Sequence, residues 1–314
     1  IAVGERDTTR RLDVFGFLTL AVAIGSFQLM LDRGGSLDWF QSSEIVTEAI
    51  LCVAGLYLFV SHSLTTDRSF LNLSLITQRN FVLGCSFAFM YGLLTVPPIV
   101  LMPSFLQDIR GYDIEDIGLL QAPRGIGMLI AMIVGGRITG KIDPRPLIAI
   151  GLLCIAASAL EMSTWTGEVG AWPLVWTNFL QGIGGGIILV PIQVIAFPSI
   201  APVLRTEAAA VYNLIRSIGA SIGVSATLTL FVRAGSTHRA RLAEHISPYS
   251  ESMQIAVSPH LDSLKALALM DNELDMQAAM LAYLGDFRLL AFAAVAGLPL
   301  LLLVKRNEGG EPIE

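Results

Sequence analysis

The sequence predicts an all-α, polytopic membrane protein with eight transmembrane helices. Of its 314 residues, 54% are hydrophobic and only 15% are charged. The apolar residues fall into eight uninterrupted stretches of about 16 to 26 residues each. A helix of about 20 apolar residues crosses the hydrocarbon core of a bilayer, a length that soluble core helices rarely keep. Membrane lipid is therefore the first expected partner of this chain.

The helices are predicted in chain order from these stretches. The third stretch contains Pro97, Pro98 and Pro103 and the sixth contains Pro191, and we expect these prolines to interrupt both helices. The predicted helices span residues 14–31, 45–60, 81–106, 117–138, 147–165, 172–197, 208–232 and 281–304.

One connection is much longer than the others. Residues 233–280 are polar and are predicted to form a long loop with short amphipathic helical pieces, such as 263–270 and 273–283. One interpretation is an excursion over the membrane surface. The other is a lid that gates a ligand site.

Basic residues in the short loops predict the orientation of the chain. Eleven Lys and Arg residues fall on one side of the membrane, and only Arg33 and Arg110 fall on the other. Short loops rich in Lys and Arg remain in the cytoplasm. Both ends of the chain are therefore predicted to be cytoplasmic, and the loop at 233–280 external.

The composition argues against several classes of function. The 20 Lys and Arg residues form no block longer than two, so nucleic-acid binding is not expected. The three cysteines lie singly in apolar stretches, and the four histidines lie in loops or at a helix end. These placements predict no disulfide, no metal site and no cofactor. Because no catalytic motif occurs, the chain is not expected to be an enzyme.

Polar residues inside the predicted helices are the candidates for function. They form three pairs whose members are three positions apart and therefore share a helix face. Because a charge inside the bilayer costs at least about 2.5–3.5 kcal/mol, such residues face protein or water. We expect the pairs to line a polar cavity or gate. Alternatively, Arg124 extends outward to the membrane surface, and Arg216 pairs with a carbonyl or carboxylate between packed helices. The candidates are Gln121 and Arg124, Asn178 and Gln181, Asn213 and Arg216, and Gln193.

Small residues predict where helices approach closely. Gly184 and Gly185 lie in the sixth helix, and Gly219 and Gly223 form a GxxxG pair in the seventh. Glycine at such spacing allows two helix backbones to come into contact. We expect these four residues to serve helix packing.

Two segments resemble loops of a known transporter family. LDRGGSLDWFQSSEI (31–45) resembles the external hairpin of fourteen-helix drug:proton antiporters of the major facilitator superfamily, and GGRITGKIDPRPL (135–147) resembles a short cytoplasmic turn of their C-terminal half. Gly140 stands where that turn usually has an acid, so no charge relay through it is expected. The residues that carry the two motifs are Leu31, Asp32, Arg33, Gly34, Trp39, Phe40, Gly136, Arg137, Lys141, Asp143 and Arg145.

Three further segments are similar to the last helices of the same family. They are QGIGGGIILVPIQ (181–193), RTEAAAVYNLIRSIGASIGVS (205–225) and QAAMLAYLGDFRLL (277–290). The resemblance implies two six-helix bundles with an extra helical hairpin between them. The domains implied are an inserted two-helix hairpin (1–64, family helices seven and eight), a cytoplasmic linker (65–79), a six-helix bundle (80–307) and a cytoplasmic tail (308–314).

The resemblance also implies a longer protein and its activity. The N-terminal bundle, where this family commonly carries its proton-linked carboxylates, is not in this sequence, and none of the carboxylates here stands out as a proton carrier. We therefore expect the C-terminal part of a transporter that expels amphiphilic drugs or toxic compounds in exchange for protons. Its expected location is the bacterial inner membrane. Its expected partners are an amphiphilic substrate, protons, the N-terminal bundle and a periplasmic adaptor.

Other functions fit the same sequence. An exporter of one metabolite or siderophore would show the same motifs. A membrane enzyme or assembly factor would need a reactive cluster at one membrane face, which the sequence does not contain. A structural or receptor role would lack the inverted three-plus-three helix repeat expected of a transporter.

Overall fold

The computed structural model describes residues 13–66, 74–198, 200–244 and 263–304. These ranges contain ten α-helices, three short 3-10 helices and no strand. The 3-10 helix Leu298–Leu303 follows the last α-helix. The α-helices are α1 (Val14–Gly34), α2 (Ser43–Thr65), α3 (Ser74–Thr77), α4 (Arg79–Thr95), α5 (Pro97–Asp108), α6 (Ile114–Ile138), α7 (Pro144–Met162), α8 (Ala171–Ala196), α9 (Arg205–Glu244) and α10 (Ser263–Ala296).

Eight segments of the described ranges are long and apolar enough to cross a bilayer. They overlap the eight predicted helices one for one, so the predicted all-α polytopic fold is confirmed. The largest differences from the prediction lie in the third helix and in the two helices on either side of the long polar segment.

The third predicted helix, 81–106, is two helices in the structure, α4 and α5. Pro97 and Pro98 have no N–H group, so the carbonyls one turn before them lose their helical partners. The N–H of Ile99 donates to the carbonyl of Val96 at 2.9 Å, a tighter turn that starts α5. The chain therefore breaks where the sequence predicted an interruption.

Two other prolines do not interrupt their helices. Pro103 lies inside α5 and Pro191 inside α8, and both helices continue through them. The predicted interruption of the sixth helix is therefore wrong. A single proline removes one backbone hydrogen bond, and packed neighbours in a bundle tolerate that loss.

The predicted loop at 233–280 is mostly helix. α9 continues to Glu244, and α10 begins at Ser263; residues 245–262 lie outside the described ranges. Arg239 on α9 forms ion pairs with Asp271 at 2.6 Å and Asp275 at 2.9 Å on α10. These exposed pairs join the two helices beyond their most apolar parts. The polar composition of residues 233–244 and 263–280 therefore reflects solvated helix, and not a loop with short interfacial pieces.

The chain divides into two compact units. The described part of the first comprises residues 13–66, 74–78 and 200–211. α1 and α2 pack closely in it, since a Cβ at Gly55 would lie 3.0 Å from the carbonyl oxygen of Thr19. Glu48 on α2 is only 8% exposed.

The second unit comprises residues 79–198 and 212–304 of the described ranges. An aromatic cluster forms part of its core, where the ring of Phe105 lies 5.6 Å from Trp165, 5.4 Å from Tyr283 and 6.4 Å from Phe287. All four rings are buried. These residues bring together the end of α5, the segment after α7 and the middle of α10.

Close glycine contacts hold the helices of the second unit. A Cβ at Gly219 of α9 would overlap the carbonyl oxygen of Phe89, and one at Gly223 would lie 2.7 Å from that of Leu93. A Cβ at Gly184 of α8 would lie 2.8 Å from the carbonyl oxygen of Gly151 on α7. These three glycines allow α4 to contact α9 and α7 to contact α8.

Gly185 differs from the other three predicted packing glycines. A Cβ there would lie 3.7 Å from the Tyr91 hydroxyl and 3.8 Å from Cγ2 of Thr95, which are ordinary contact distances. Gly185 therefore faces polar side chains of α4 and not a neighbouring backbone.

Candidate functional site

The site is built around the break between α4 and α5. Because the N–H of Ile99 donates to Val96, it is not available to the carbonyl of Thr95, which lies four residues before it. Nη2 of Arg124 on α6 donates to that Thr95 carbonyl. The proline pair thus creates an acceptor inside the bundle, and a guanidinium satisfies it.

Arg124 is held at this point by the packing of α6 on α8. A Cβ at Gly182 would overlap the carbonyl oxygen of Arg124, so only glycine permits the approach. The half-buried guanidinium is directed toward Thr95 inside the unit. This geometry differs from the alternative in which Arg124 extends outward to the membrane surface.

Arg216 reaches the same region from α9. Its Nη2 donates to Oδ1 of Asn213 at 3.2 Å, so the predicted pair does share a face. A Cβ at Gly92 would overlap the carbonyl oxygen of Arg216, which shows how closely α4 and α9 approach. Nε of Arg216 is buried and has no hydrogen-bond partner among the described residues.

Tyr91 lies near both arginines, and it was not among the residues predicted from the sequence. Both guanidinium groups lie close enough to its hydroxyl to interact with it electrostatically. Thr95, one turn later, donates its hydroxyl to the Tyr91 carbonyl at 2.6 Å. A single tyrosine in an apolar stretch gives little signal, because its neighbours are set by the crossing of α4 with α9 and by Arg124 on α6.

The carboxamides of α8 lie on the helix face that also carries Gly185. Asn178 is fully buried, and its Nδ2 donates to the Leu174 carbonyl at 2.9 Å, while its Oδ1 has no partner among the described residues. Gln181 is 1% exposed, and neither of its amide atoms has a described partner. Three buried polar atoms without partners cost about 1–3 kcal/mol each. Such a cost is typical of a site that water or a ligand completes.

Two predicted residues contribute less clearly. Gln121 is half-buried one turn before Arg124 on α6. Gln193 is exposed, more than three turns beyond Gln181 on α8, and no described contact joins it to the others. The structure therefore groups Arg124, Asn213 and Arg216 around Tyr91, and leaves Gln193 apart.

The hairpin motif has a structural explanation within the first unit. Asp38 and Trp39 both have φ of 54°, a left-handed turn that directs the Trp39 ring onto Gly34. A Cβ at Gly34 would lie 2.9 Å from that ring. Arg33 pairs with Glu44 across the turn. Of the remaining motif residues, Leu31 is buried, whereas Asp32 and Phe40 are exposed.

The second motif forms the turn between α6 and α7. Gly140 has φ of 109°, a conformation that favours glycine over the acid usual at this place. Asp143 caps α7 by accepting from the N–H of Arg145 at 3.1 Å. Nη2 of Arg145 donates to the carbonyl of Val304. Gly136, Arg137 and Lys141 are exposed.

Comparison with known proteins agrees with this architecture. The sequence profile of the Major Facilitator Superfamily matches residues 14–224. Multidrug export protein EmrB of Escherichia coli (strain K12) is 33% identical over 255 residues, 81% of this chain and 50% of that protein. Fatty acid resistance protein FarB of Neisseria gonorrhoeae is 32% identical over 241 residues, 77% of this chain and 48% of that protein.

A third relative extends further along the chain. Probable multidrug resistance protein EmrY of Escherichia coli (strain K12) is 30% identical over 295 residues, 91% of this chain and 57% of that protein. The chain spans about half the length of these relatives.

Proposed function

Because the chain belongs to the Major Facilitator Superfamily and is a multi-pass membrane protein, we propose that it is the C-terminal part of a proton-driven exporter of amphiphilic drugs. The observation that carries the proposal is the match of 81% of the chain to half of a multidrug export protein. The complete transporter is then this chain together with an N-terminal six-helix bundle in the bacterial inner membrane.

The polar group around Tyr91, which comprises Arg124, Asn178, Gln181, Asn213 and Arg216, is the proposed wall of the substrate cavity. The two guanidinium groups and the carboxamides of Asn178 and Gln181 offer hydrogen-bond donors and acceptors that the described chain does not fully use. Apolar side chains surround them in the membrane-spanning helices, which suits a solute with one polar and one apolar part. Alternating access would expose this wall first to one side of the membrane and then to the other.

The proposed orientation places both ends of the chain in the cytoplasm. Ser36, after α1, and Lys141, before α7, are both exposed and lie on opposite predicted sides. Ser36→Cys and Lys141→Cys, each made without the native cysteines, should differ toward a membrane-impermeant maleimide. We expect Ser36→Cys to react in intact cells and Lys141→Cys only after lysis. Equal reactivity of the two positions would refute the orientation.

Transport is tested in inverted membrane vesicles that contain the complete transporter. An imposed proton gradient, acidic inside, should drive uptake of a cationic dye such as ethidium, and an uncoupler should stop it. The physical reason is that exchange lets protons leave down their gradient as the dye enters. Dye uptake that is unaffected by the uncoupler, or no uptake above empty vesicles, would contradict the proposal.

An exporter of anionic amphiphiles is a second candidate. Two guanidinium groups face the Tyr91 region, and neither forms an ion pair with a described carboxylate. Free cationic groups on a cavity wall favour an anionic solute, and one relative is named for fatty acid resistance. In the same vesicles, gradient-driven uptake of a long-chain fatty acid without uptake of the cationic dye would support this candidate instead.

A further inference from the structure

Asp286 is a buried carboxylate near the middle of the last membrane-spanning segment. Its side chain lies on α10 and is only 3% exposed. Its Oδ2 is buried and has no hydrogen-bond partner among the described residues. Its place in the sequence did not single it out as a proton carrier, because it lies in a helix with apolar residues on every face.

Buried apolar groups flank Asp286 along its own helix face. Tyr283, whose ring belongs to the buried aromatic cluster with Phe105, lies one turn before it, and the buried Leu290 lies one turn after it. A carboxylate in such a place loses the hydration that stabilises its charge. Without a compensating cation, the neutral, protonated carboxyl is the form that this environment favours.

The obvious cation on the same helix does not reach Asp286. Arg288 lies two positions later and is exposed, and residues two apart on a helix do not face each other. Helices α4, α5, α7 and α9 and the final 3-10 helix contact α10. No described titratable side chain on them hydrogen-bonds or ion-pairs with Asp286. Those side chains are Arg79, Cys85, Tyr91, Asp108, Arg145, Cys154, Glu161, Arg205, Glu207, Tyr212, Arg216, Arg233, His238, Arg239, Arg241 and Glu244.

Tyr283, one turn before Asp286, makes a polar contact toward the end of the bundle. The Tyr283 hydroxyl donates to Oδ2 of Asp108 at 3.4 Å, and Asp108 is exposed where α5 ends. Asp286 lies three residues along α10 from Tyr283, a rise of about 4.5 Å. In the proposed orientation this end of α5 is external, the side from which protons enter.

We propose that Asp286 is a proton-binding site of the C-terminal half, filled from the external side past Asp108 and Tyr283. The inference rests on the proposed function as a proton-driven exporter. Binding forms one O–H bond on the carboxylate of Asp286 with a proton taken from external water. Release breaks the same bond when the moving bundle gives that oxygen access to cytoplasmic water. No redox partner is involved.

The test uses the complete transporter in two assays. In inverted vesicles, Asp286→Asn should abolish dye uptake driven by a proton gradient but keep exchange of dye for dye, because exchange requires no proton to be carried. Asp286→Glu should restore part of the driven uptake. Asp271→Asn is the matched control, since Asp271 is an exposed acid on the same helix. It should leave both activities unchanged.

The outcomes separate the two proposals. Failure of the unaltered transporter to take up dye in response to a gradient would contradict the proposed function itself. Gradient-driven uptake by the unaltered transporter together with equal uptake by Asp286→Asn would overturn the role of Asp286. Loss of exchange as well as driven uptake in both Asp286 variants would also overturn it, because a residue needed only for structure would behave in that way.

A second measurement does not depend on any variant folding. Dicyclohexylcarbodiimide modifies protonated carboxyl groups in apolar sites, and mass spectrometry locates the modified residue in the unaltered transporter. We expect modification at Asp286 near neutral pH and its loss as the pH rises. Absence of modification at Asp286 under conditions in which the reagent labels other carboxyls would refute the proposal.

Discussion

Arg216→Ala in the complete transporter is expected to lower efflux by about tenfold or more while the amount of protein in the membrane stays near normal. A hydrogen bond to a charged group contributes about 1.5–3 kcal/mol, and about 1.4 kcal/mol corresponds to a tenfold change in rate. The guanidinium has one contact to Asn213 and a buried Nε without a described partner. It therefore retains donors for a substrate or for a group of the other bundle.

The conservative variant separates charge from geometry. Arg216→Lys should restore efflux only in part, because lysine keeps the positive charge but loses the planar set of five donors. Arg233→Ala on the same helix is the control, because Arg233 is exposed. Efflux by the Arg233→Ala variant should match that of the unaltered transporter. Full efflux by Arg216→Ala would remove the functional role. Loss of the protein from the membrane would show that Arg216 serves packing between helices.

The sequence predicted the fold class and the polar pair on α9 for clear physical reasons. Stretches of about 20 apolar residues have few solutions other than membrane helices. The spacing of three between Asn213 and Arg216 places them on one face regardless of tertiary structure. Both features depend on local periodicity alone, and the structure contains both.

The features that the sequence did not predict depend on contacts between helices. Tyr91 comes close to Arg216 only because α4 crosses α9, at the contact of Gly92 with the Arg216 backbone. The Thr95 carbonyl becomes an acceptor only because the next helix starts with a tighter turn. Asp286 could not be distinguished from a surface acid, because a helix that is apolar all round does not show which face is buried.

The helical structure of residues 233–244 and 263–280 was not predicted for a related reason. A hydropathy pattern ends where the lipid ends, but a helix continues wherever its exposed face can be solvated and its neighbours hold it. Arg239 forms ion pairs with Asp271 and Asp275, which are remote from it in sequence. Composition alone therefore indicated a loop where α9 and α10 continue.

The chain on its own is expected to insert into a membrane and to transport nothing. Alternating access requires two bundles that move about a shared site. The polar group around Tyr91 would then face lipid or a second copy of the chain, and the unpartnered atoms of Gln181 and Arg216 would have no substrate to bind. We expect driven export to fall to the level of empty cells, which is the largest of the predicted effects.

The most direct test of the half-transporter claim measures dye retention in an efflux-deficient bacterial strain. One culture expresses residues 1–314 alone, and another expresses them joined to the N-terminal bundle, at matched levels in the membrane. We expect cells with the chain alone to retain dye as empty cells do, whereas the joined protein expels dye until an uncoupler is added. Proton-dependent efflux from residues 1–314 alone would contradict the proposed half-transporter and require a transporter formed by two copies of this chain.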